Sequence, residues 1–322
     1  MLAAIVLRAT AAILLTAGGG RLQAQNFAAN SNGIPKFRFA VSARFFTDVN
    51  ENDAKAAIKV WAQTAMEQNA VPVEAEAVFV ENFNSLVREF QDSKVDAAAL
   101  TIDEYLTLSR KVKTSDLFAD ELEAGGGDSY LLLVHQDGPI KSLADLKGRK
   151  LLLHDNPTSC LAVKWLDIVL ARHGMPPADT TFAELALKKK LSGVVLPVFF
   201  RTEDVCVVPK HGFDTMVELN PQLGTQLHAL ATSPRLVTGI CCYRASYDPP
   251  QRSRIIESFI HLDDSPSGQQ ILTVFQTAKL ARVPDSALES AKELLAEHER
   301  LFGAKETGHA AAPPGRPTQA GL

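Results

Sequence analysis

From Phe37 onward short apolar strands alternate with amphipathic helices, and this rhythm confines the chain to sheets flanked by helices. Phe37 to Phe45 alternates with the period of a strand, and Asn50 or Asn52 then caps a helix running to Gln68 with Ala57, Ile58, Trp61 and Ala65 on one face. Strands are expected at Val71 to Val80 and Val95 to Leu100, with helices at Phe83 to Phe90 and Ile102 to Arg110, and a further strand at Tyr130 to Val134. The order strand, helix, strand predicts an α/β fold built on parallel pairing.

Two interruptions organise this pattern. Gln136-Asp137-Gly138-Pro139 and Thr232-Ser233-Pro234 read as connectors. Between them lie a short helix from Ser142 closed by Gly148, a strand at Leu151 to Leu153, a helix from Cys160 to His173, a helix at Ser192 to Phe200 and a strand at Asp204 to Val208. A helix at Phe213 to Leu219 and a strand at Gln226 to Ala231 complete this middle part. After the second connector come a strand at Val237 to Tyr243 and helices at Gln251 to Leu262, Ser267 to Gln276 and Ser286 to Phe302. The expected organisation is one lobe from residues 36–137 and 235–302, a second from 138–234, and a disordered tail over 303–322. Such a molecule opens and shuts about two connecting strands.

The middle part carries the most informative local motif. Lys150 to Arg172 reads as a buried strand, a polar turn at Asp155-Asn156-Pro157, and a helix opened by Thr158 and Ser159. The first N–H groups of a helix lack partners within it and the macrodipole adds about half a positive charge there, so an oxyanion could accept several donors at once. The alternative is that Asn156 or Thr158 merely caps its own helix.

Met1 to Ala24 has a weakly basic start at Arg8, an apolar stretch from Ala9 to Ala17 and small residues near Ala24, the pattern of a secretory signal cut before Gln25. An uncleaved anchor is the alternative. No cysteine follows the cut, so a lipid anchor is not expected. Losing Arg8 and Arg21 takes the net charge from −4 to −6. A mildly acidic chain whose one basic run is Lys188-Lys189-Lys190, read as a solvated helix face, is a poor partner for nucleic acid. About 280 residues remain without signal and tail, enough for two lobes.

Cys160, Cys206, Cys241 and Cys242 sit in or beside apolar segments, so free buried thiols are expected, with one bridge such as Cys160 to Cys206 as the alternative. There is no C-x-x-C, no Cys/His set with zinc spacing, no G-x-S-x-G, no H-E-x-x-H and no phosphate loop, and the eight histidines are scattered. No metal, cofactor or catalytic role is expected.

Val95-Asp96-Ala97-Ala98-Ala99-Leu100-Thr101, the segment Ile140 to Thr158, Asp204-Val205-Cys206 and Leu230-Ala231-Thr232-Ser233-Pro234 resemble, in the same order, the periplasmic phosphonate-binding proteins of ABC transporters. The likeness covers nearly all of Lys36 to Phe275. It implies the two-lobed type II periplasmic binding protein fold with a ligand cleft between lobes. It implies a periplasmic solute-binding protein, a monomer, that captures a small oxyanion of the phosphonate, phosphite or phosphate class and delivers it to an ABC transporter permease. In the family a hydroxyl-rich turn holds the phosphonate oxygens, a role that falls here on Thr158 and Ser159. Cys160 stands where the family has a small, glycine-like residue, and Leu100-Thr101 where it often has an aromatic contact.

Ligands of open α/β sheets lie beyond the carboxyl ends of the strands, which adds Ser42, Arg44, Thr101 and Lys210 to the candidates. Thr101 would supply a second hydroxyl, Arg44 a bidentate fork unless it is simply a surface residue, and Tyr130 and Phe46 the walls. Phe199-Phe200 reads as packing. Glu203 and Asp204 would meet a ligand cation or anchor their strand, while Asp103-Glu104, Asp120-Glu121 and Asp263-Asp264 read as solvated charge. The ligand set is therefore Thr158, Ser159, Asn156, Thr101, Arg44 and Tyr130. The competing functions are an enzyme reusing the same fold and a binding protein for another small molecule, such as a sulfonate or a thiamine precursor.

Overall fold

The computed structural model describes residues 35–45, 51–68, 71–80, 82–121, 127–274, 277 and 279–306. The signal-like segment, Phe46, Asn50, Gly125, Gly126 and the tail from residue 307 lie outside them, as do the side chains of Ala57, Trp61 and Ala65.

The chain begins with β1 (Lys36–Ser42), a 3-10 turn (Ala43–Phe45), α1 (Glu51–Gln68), β2 (Glu74–Val80), α2 (Phe83–Gln91), β3 (Ala97–Thr101), α3 (Ile102–Ser109) and β4 (Thr114–Asp120). Then follow β5 (Tyr130–His135), a 3-10 turn (Leu143–Leu146), β6 (Lys150–His154), a 3-10 turn (Pro157–Ser159), α4 (Ala162–Arg172), α5 (Ala178–Thr181), β7 (Glu184–Lys188) and α6 (Leu191–Phe199). The remainder is β8 (Val205–Pro209), α7 (Lys210–Leu219), α8 (Gln222–Gln226), β9 (Leu227–Thr232), β10 (Gly239–Arg244), α9 (Arg252–Ile260), α10 (Pro266–Val274), β11 (Leu280–Arg282) and α11 (Glu289–Glu306).

The strands form two sheets, ordered β11-β4-β10-β3-β1-β2 and β7-β6-β8-β5-β9. Strands β1, β2 and β3 pair in parallel, as do β6, β7 and β8, which is the expected pairing. Both sheets are nevertheless mixed. Strand β10 runs antiparallel to β3 and β4, and β5 antiparallel to β8 and β9, because these are the strands that arrive from the other sheet without an intervening crossover helix.

Alternation along the strands builds the core. Phe37, Phe39 and Val41 of β1 share a buried cluster with Ile58 of α1 and Phe259 of α9, while Ala40 faces the opposite cluster. In β5, Leu131 and Leu133 face one side with Val194 and Val198, and Leu132 and Val134 the other. Fully burying such an aliphatic side chain contributes about 1.5–3 kcal/mol.

Two segments fall differently from the sequence expectation. The Gln136-to-Pro139 turn does not join the sheets: β5 already belongs to the five-stranded sheet, and Gly138 N–H closes back on His135 O at 2.9 Å. The crossing precedes Ser129. Likewise the last helix, α11, follows β11 of the six-stranded sheet yet packs on α4, held by Arg172 to Glu297 at 2.6 Å and by the buried pair His298 and Asp167 at 3.1 Å. Three strands are additional to the expected set, β4, β7 and β11, and Lys188 closes β7 rather than lying on a helix face. All four cysteines are free thiols.

Candidate functional site

Strand β6 ends at His154, and the following turn is held by one side chain. Asn156 Oδ1 accepts from the Thr158 N–H and from the Thr158 hydroxyl, both at 2.9 Å, and Ser159 N–H donates to Asn156 O at 2.8 Å. Pro157 fixes φ at the first position of this 3-10 turn, and α4 begins only at Ala162. The helix therefore starts later than the sequence implied, and Thr158 is engaged within its own turn. Ser159 Oγ makes no hydrogen bond among the described residues.

Tyr130 sits beneath this turn rather than on a wall. It is 1 % exposed, donates its hydroxyl to Thr158 O at 2.5 Å, accepts from Leu161 N–H at 3.4 Å and lies against Trp165. Burial raises its pKa well above the usual tyrosine value, so the phenol stays a donor.

Arg44 and Thr101 meet on the other side. Arg44 Nη1 donates to Thr101 Oγ1 at 2.9 Å and to Asp103 Oδ2 at 2.7 Å, leaving Nε and Nη2 without hydrogen bonds among the described residues. Burial works against the guanidinium charge, but Asp103 and Glu104 outweigh it and the pKa is raised. Thr101 is completely buried. Its hydroxyl donates to Glu104 Oε2 at 2.9 Å in a capping box for α3, and Ser42 donates to Glu104 Oε1 at 2.9 Å. Asp103 and Glu104, read as solvated charge, thus anchor this corner. Cys160 joins the two groups: its thiol lies 3.5 Å from Thr238 O, and burial, then Asp103, push its pKa up to about 12 while Arg44 acts the other way.

A cavity of about 120 Å³ opens between the strand ends, the crossing segments and the Asn156-to-Thr158 turn. That far exceeds the ~10–15 Å³ that seats one water. Its walls are largely apolar, with Phe45, Phe118, Ile240, Leu272 and Leu280 among them. The charged residues lining it are Asp120 and Asp128, and no Lys, Arg or His does so among the described residues. Asp120 accepts from the Thr277 hydroxyl. Asp128 Oδ1 accepts from Ser129 N–H at 2.7 Å, and both its oxygens face His211 N–H, at 3.1 and 3.2 Å, at the start of α7. Burial, its largest influence, raises the Asp128 pKa despite these bonds.

Asn156 and Thr158 line this cavity, whereas Ser159, Thr101, Arg44 and Tyr130 do not. Lys210 pairs with Asp214, Glu203 with Lys150 and Asp204 with Arg149, so the last two anchor their strand. Phe199 is buried and Phe200 exposed. Asp128 was not singled out by any motif; its signal is a carboxylate directly before an apolar strand and after a glycine run, where a chain crosses between units.

A family model described as the periplasmic substrate-binding protein of phosphonate ABC transporters matches residues 45–288. No curated protein sequence matches. Among solved structures, a binding protein component of an ABC phosphonate transporter from Pseudomonas aeruginosa is similar at 17% identity and a TM-score of 0.56, over 84% of this chain and 89% of that one. PhnD1 from Prochlorococcus marinus, in complex with methylphosphonate, is similar at 13% identity and a TM-score of 0.57, over 84% and 99%. A Xanthomonas citri protein bound to ATP is similar at 17% identity and a TM-score of 0.57, over 83% and 98%. The fold is thus the two-lobed type II periplasmic binding protein fold. No helix among the described residues is long and apolar enough to cross a membrane. The chain belongs to the family of periplasmic substrate-binding proteins of ABC phosphonate transporters.

Proposed function

We propose that this protein captures a small phosphonate-class oxyanion in the cleft between its lobes and hands it, unchanged, to an ABC permease. The observation that carries this reading is the position of the cavity, beside Phe45 just past the end of β1, the segments that cross between the sheets and the turn that follows β6, close to where ligands of α/β sheets sit. Ser159 Oγ and the Nε and Nη2 groups of Arg44 do not line the cavity, but they carry no hydrogen bond among the described residues, and in this reading they are the donors that take the oxyanion once the lobes close. Asn156, Thr158 and Tyr130 position the turn bearing Ser159, and Thr101 positions Arg44.

The lobes follow the sheets: residues 36–120 with 239–282 form one, and residues 130–232 with α11 the other. The protein is exported with removal of Met1 to Ala24 and works as a monomer. N-terminal sequencing of the periplasmic form beginning at Gln25 supports export, and a membrane-bound form retaining Met1 overturns it.

Calorimetric titration with methylphosphonate, phosphite, phosphate and an alkylsulfonate tests the ligand. A phosphonate should bind most tightly and be recovered intact. Hydrogen bonds to charged groups contribute about 1.5–3 kcal/mol, so Ser159→Ala or Arg44→Ala should each weaken binding about 10- to 150-fold. Unchanged affinity in both variants removes the oxyanion from these donors.

A further inference from the structure

We propose that the open edge of β7 is a docking site for a second copy of this chain, which pairs with it antiparallel about a two-fold axis at Ala186 and joins the two five-stranded sheets into one. The surface lies outside the cleft. No residue of β7 lines the cavity, so each copy keeps its own binding site and the single copy remains the unit that delivers ligand.

Strand β7 ends its sheet and is paired on one side alone, with β6. On that side Lys188 O accepts from Asp155 N–H at 2.9 Å, so the two-residue alternation of a strand directs the N–H and C=O groups of Leu185 and Leu187 away from β6. No hydrogen bond among the described residues takes those groups. A row of open donors and acceptors is a template for another strand, and chains commonly guard such an edge with charge. Here the charges select one partner. Glu184 and Lys188 stand at the two ends of β7, one on either side of Ala186 and of opposite sign. Antiparallel pairing about Ala186 sets each Glu184 against Lys188 of the other copy, and each Leu185 against Leu187 in a pair that exchanges two backbone hydrogen bonds. Parallel pairing in register sets Glu184 on Glu184 and Lys188 on Lys188, and like charges directly opposite are destabilising.

The side chains are placed for the same partner. Leu185 and Leu187 share a face of the strand; Leu185 packs against the core, whereas Leu187 is 63 % exposed. In the pair, Leu185 of the other copy comes to lie beside it. Lys188 makes no ion pair among the described residues. Glu184 reaches only Lys150, at 3.8 Å, and Lys150 lies nearer to Glu203, at 2.9 Å. Both charges are therefore open to a second copy. Five residues a side make a contact smaller than a standard interface, so the pairing is weak and reversible.

Sedimentation equilibrium without ligand, over about 10 μM to 1 mM protein, reads this pairing. Expected for the parent is a reversible monomer–dimer equilibrium with its midpoint in that range. Lys188→Glu and Glu184→Lys each set like charges opposite one another and should weaken pairing about tenfold or more. An equimolar mixture of the two variants, and the chain carrying both substitutions, restore opposite charges and should pair as the parent does. Leu187→Pro removes an outward N–H and should weaken pairing as well. Melting curves identify any variant that does not fold; Glu184→Lys sets a lysine beside Lys150, and if it fails, the exposed substitution Lys188→Glu decides. A single species at every concentration overturns the proposal. Pairing that Lys188→Glu leaves unaltered overturns it too, because the contact then lies elsewhere on the surface. Loss of pairing in both single variants that their mixture does not recover overturns the antiparallel register.

Discussion

Asp128 and Leu236 exchange two backbone hydrogen bonds, Asp128 N–H to Leu236 O at 3.0 Å and Leu236 N–H to Asp128 O at 2.8 Å. These residues lie on the two segments that cross between the sheets, so the crossings are themselves a short antiparallel ribbon. Tyr130 and Ser233 extend it, with Ser233 N–H on Tyr130 O at 2.9 Å and Tyr130 N–H on Ser233 Oγ at 2.7 Å. Lobe closure then turns on a paired ribbon rather than on two independent strands. Small-angle scattering should give a smaller radius of gyration with a saturating ligand than without, and an unchanged radius counts against closure.

The ribbon also dictates a sequence requirement. Gly127 has φ +78°, and a Cβ there would lie 2.7 Å from the backbone C and O of Leu236. Backbone cannot yield as a side chain end can. Gly127→Ala should cost about 1–3 kcal/mol, which for a chain of this size lowers the melting temperature by roughly 2–12 °C. A melting curve superimposable on the parent's would show that the ribbon relaxes freely.

Tyr130 ties this ribbon to the binding turn. Tyr130→Phe keeps the ring against Trp165 but leaves Thr158 O and Leu161 N–H short of a partner in a buried place, a loss of about 1–3 kcal/mol. Melting should fall and ligand affinity should fall with it, because the turn bearing Ser159 loses its support. Lower stability with full affinity would separate Tyr130 from the site.

Every parallel strand but β7, and most helices, were legible because their apolar residues recur at two- or 3.6-residue spacing over five or more positions, as in Lys36–Ser42 and Phe83–Gln91. Strand β4 was not: Thr114–Asp120 carries three polar residues at its start, and Asp116 has φ +47°, so no alternation is visible. Strand β7 escaped for a related reason, since an edge strand with exposed Glu184 and Lys188 has little apolar signature. The Asn156-to-Ser159 turn was recognised as a site element, but its self-satisfaction by the Asn156 side chain depends on χ angles that spacing does not encode. Asp120 looked solvated beside Glu121, because only the tertiary fold brings it against Thr277 and the cavity.

Asp96 predicts where the six-stranded lobe is most vulnerable. It is 1 % exposed and accepts from Arg38 N–H at 2.9 Å, Arg38 Nη2 at 3.2 Å and Arg244 Nη2 at 2.9 Å. Removing one partner of a buried ion pair typically costs about 3–5 kcal/mol, because the remaining charges lose their compensation. Asp96→Ala should lower the urea midpoint sharply, and Asp96→Asn, which keeps acceptors for the backbone N–H, should lower it less. Equal midpoints for Asp96→Ala and the parent would show that the two arginines find water instead.

Burial of the four thiols predicts a loss of stability at alkaline pH. Burial raises the pKa of Cys160 and of Cys241 to about 12 and that of Cys206 and Cys242 higher still, whereas in an unfolded chain a thiol titrates near ~8.5. The folded state therefore holds these protons while the unfolded state releases them. Their contribution to stability is fully present below the unfolded pKa and declines as pH rises from there toward 12. Urea midpoints should fall between pH 8.5 and 10, before tyrosines titrate in the unfolded chain, and Cys206→Ala should show a shallower fall over the same range. Because the thiolate is the nucleophile, iodoacetamide at pH 8 should leave the native protein unlabelled and modify all four cysteines in denaturant. Rapid labelling of Cys206 in the native protein, or a flat midpoint across that pH range, would mean that these thiols reach water and that the β8 interior is looser than its burial implies.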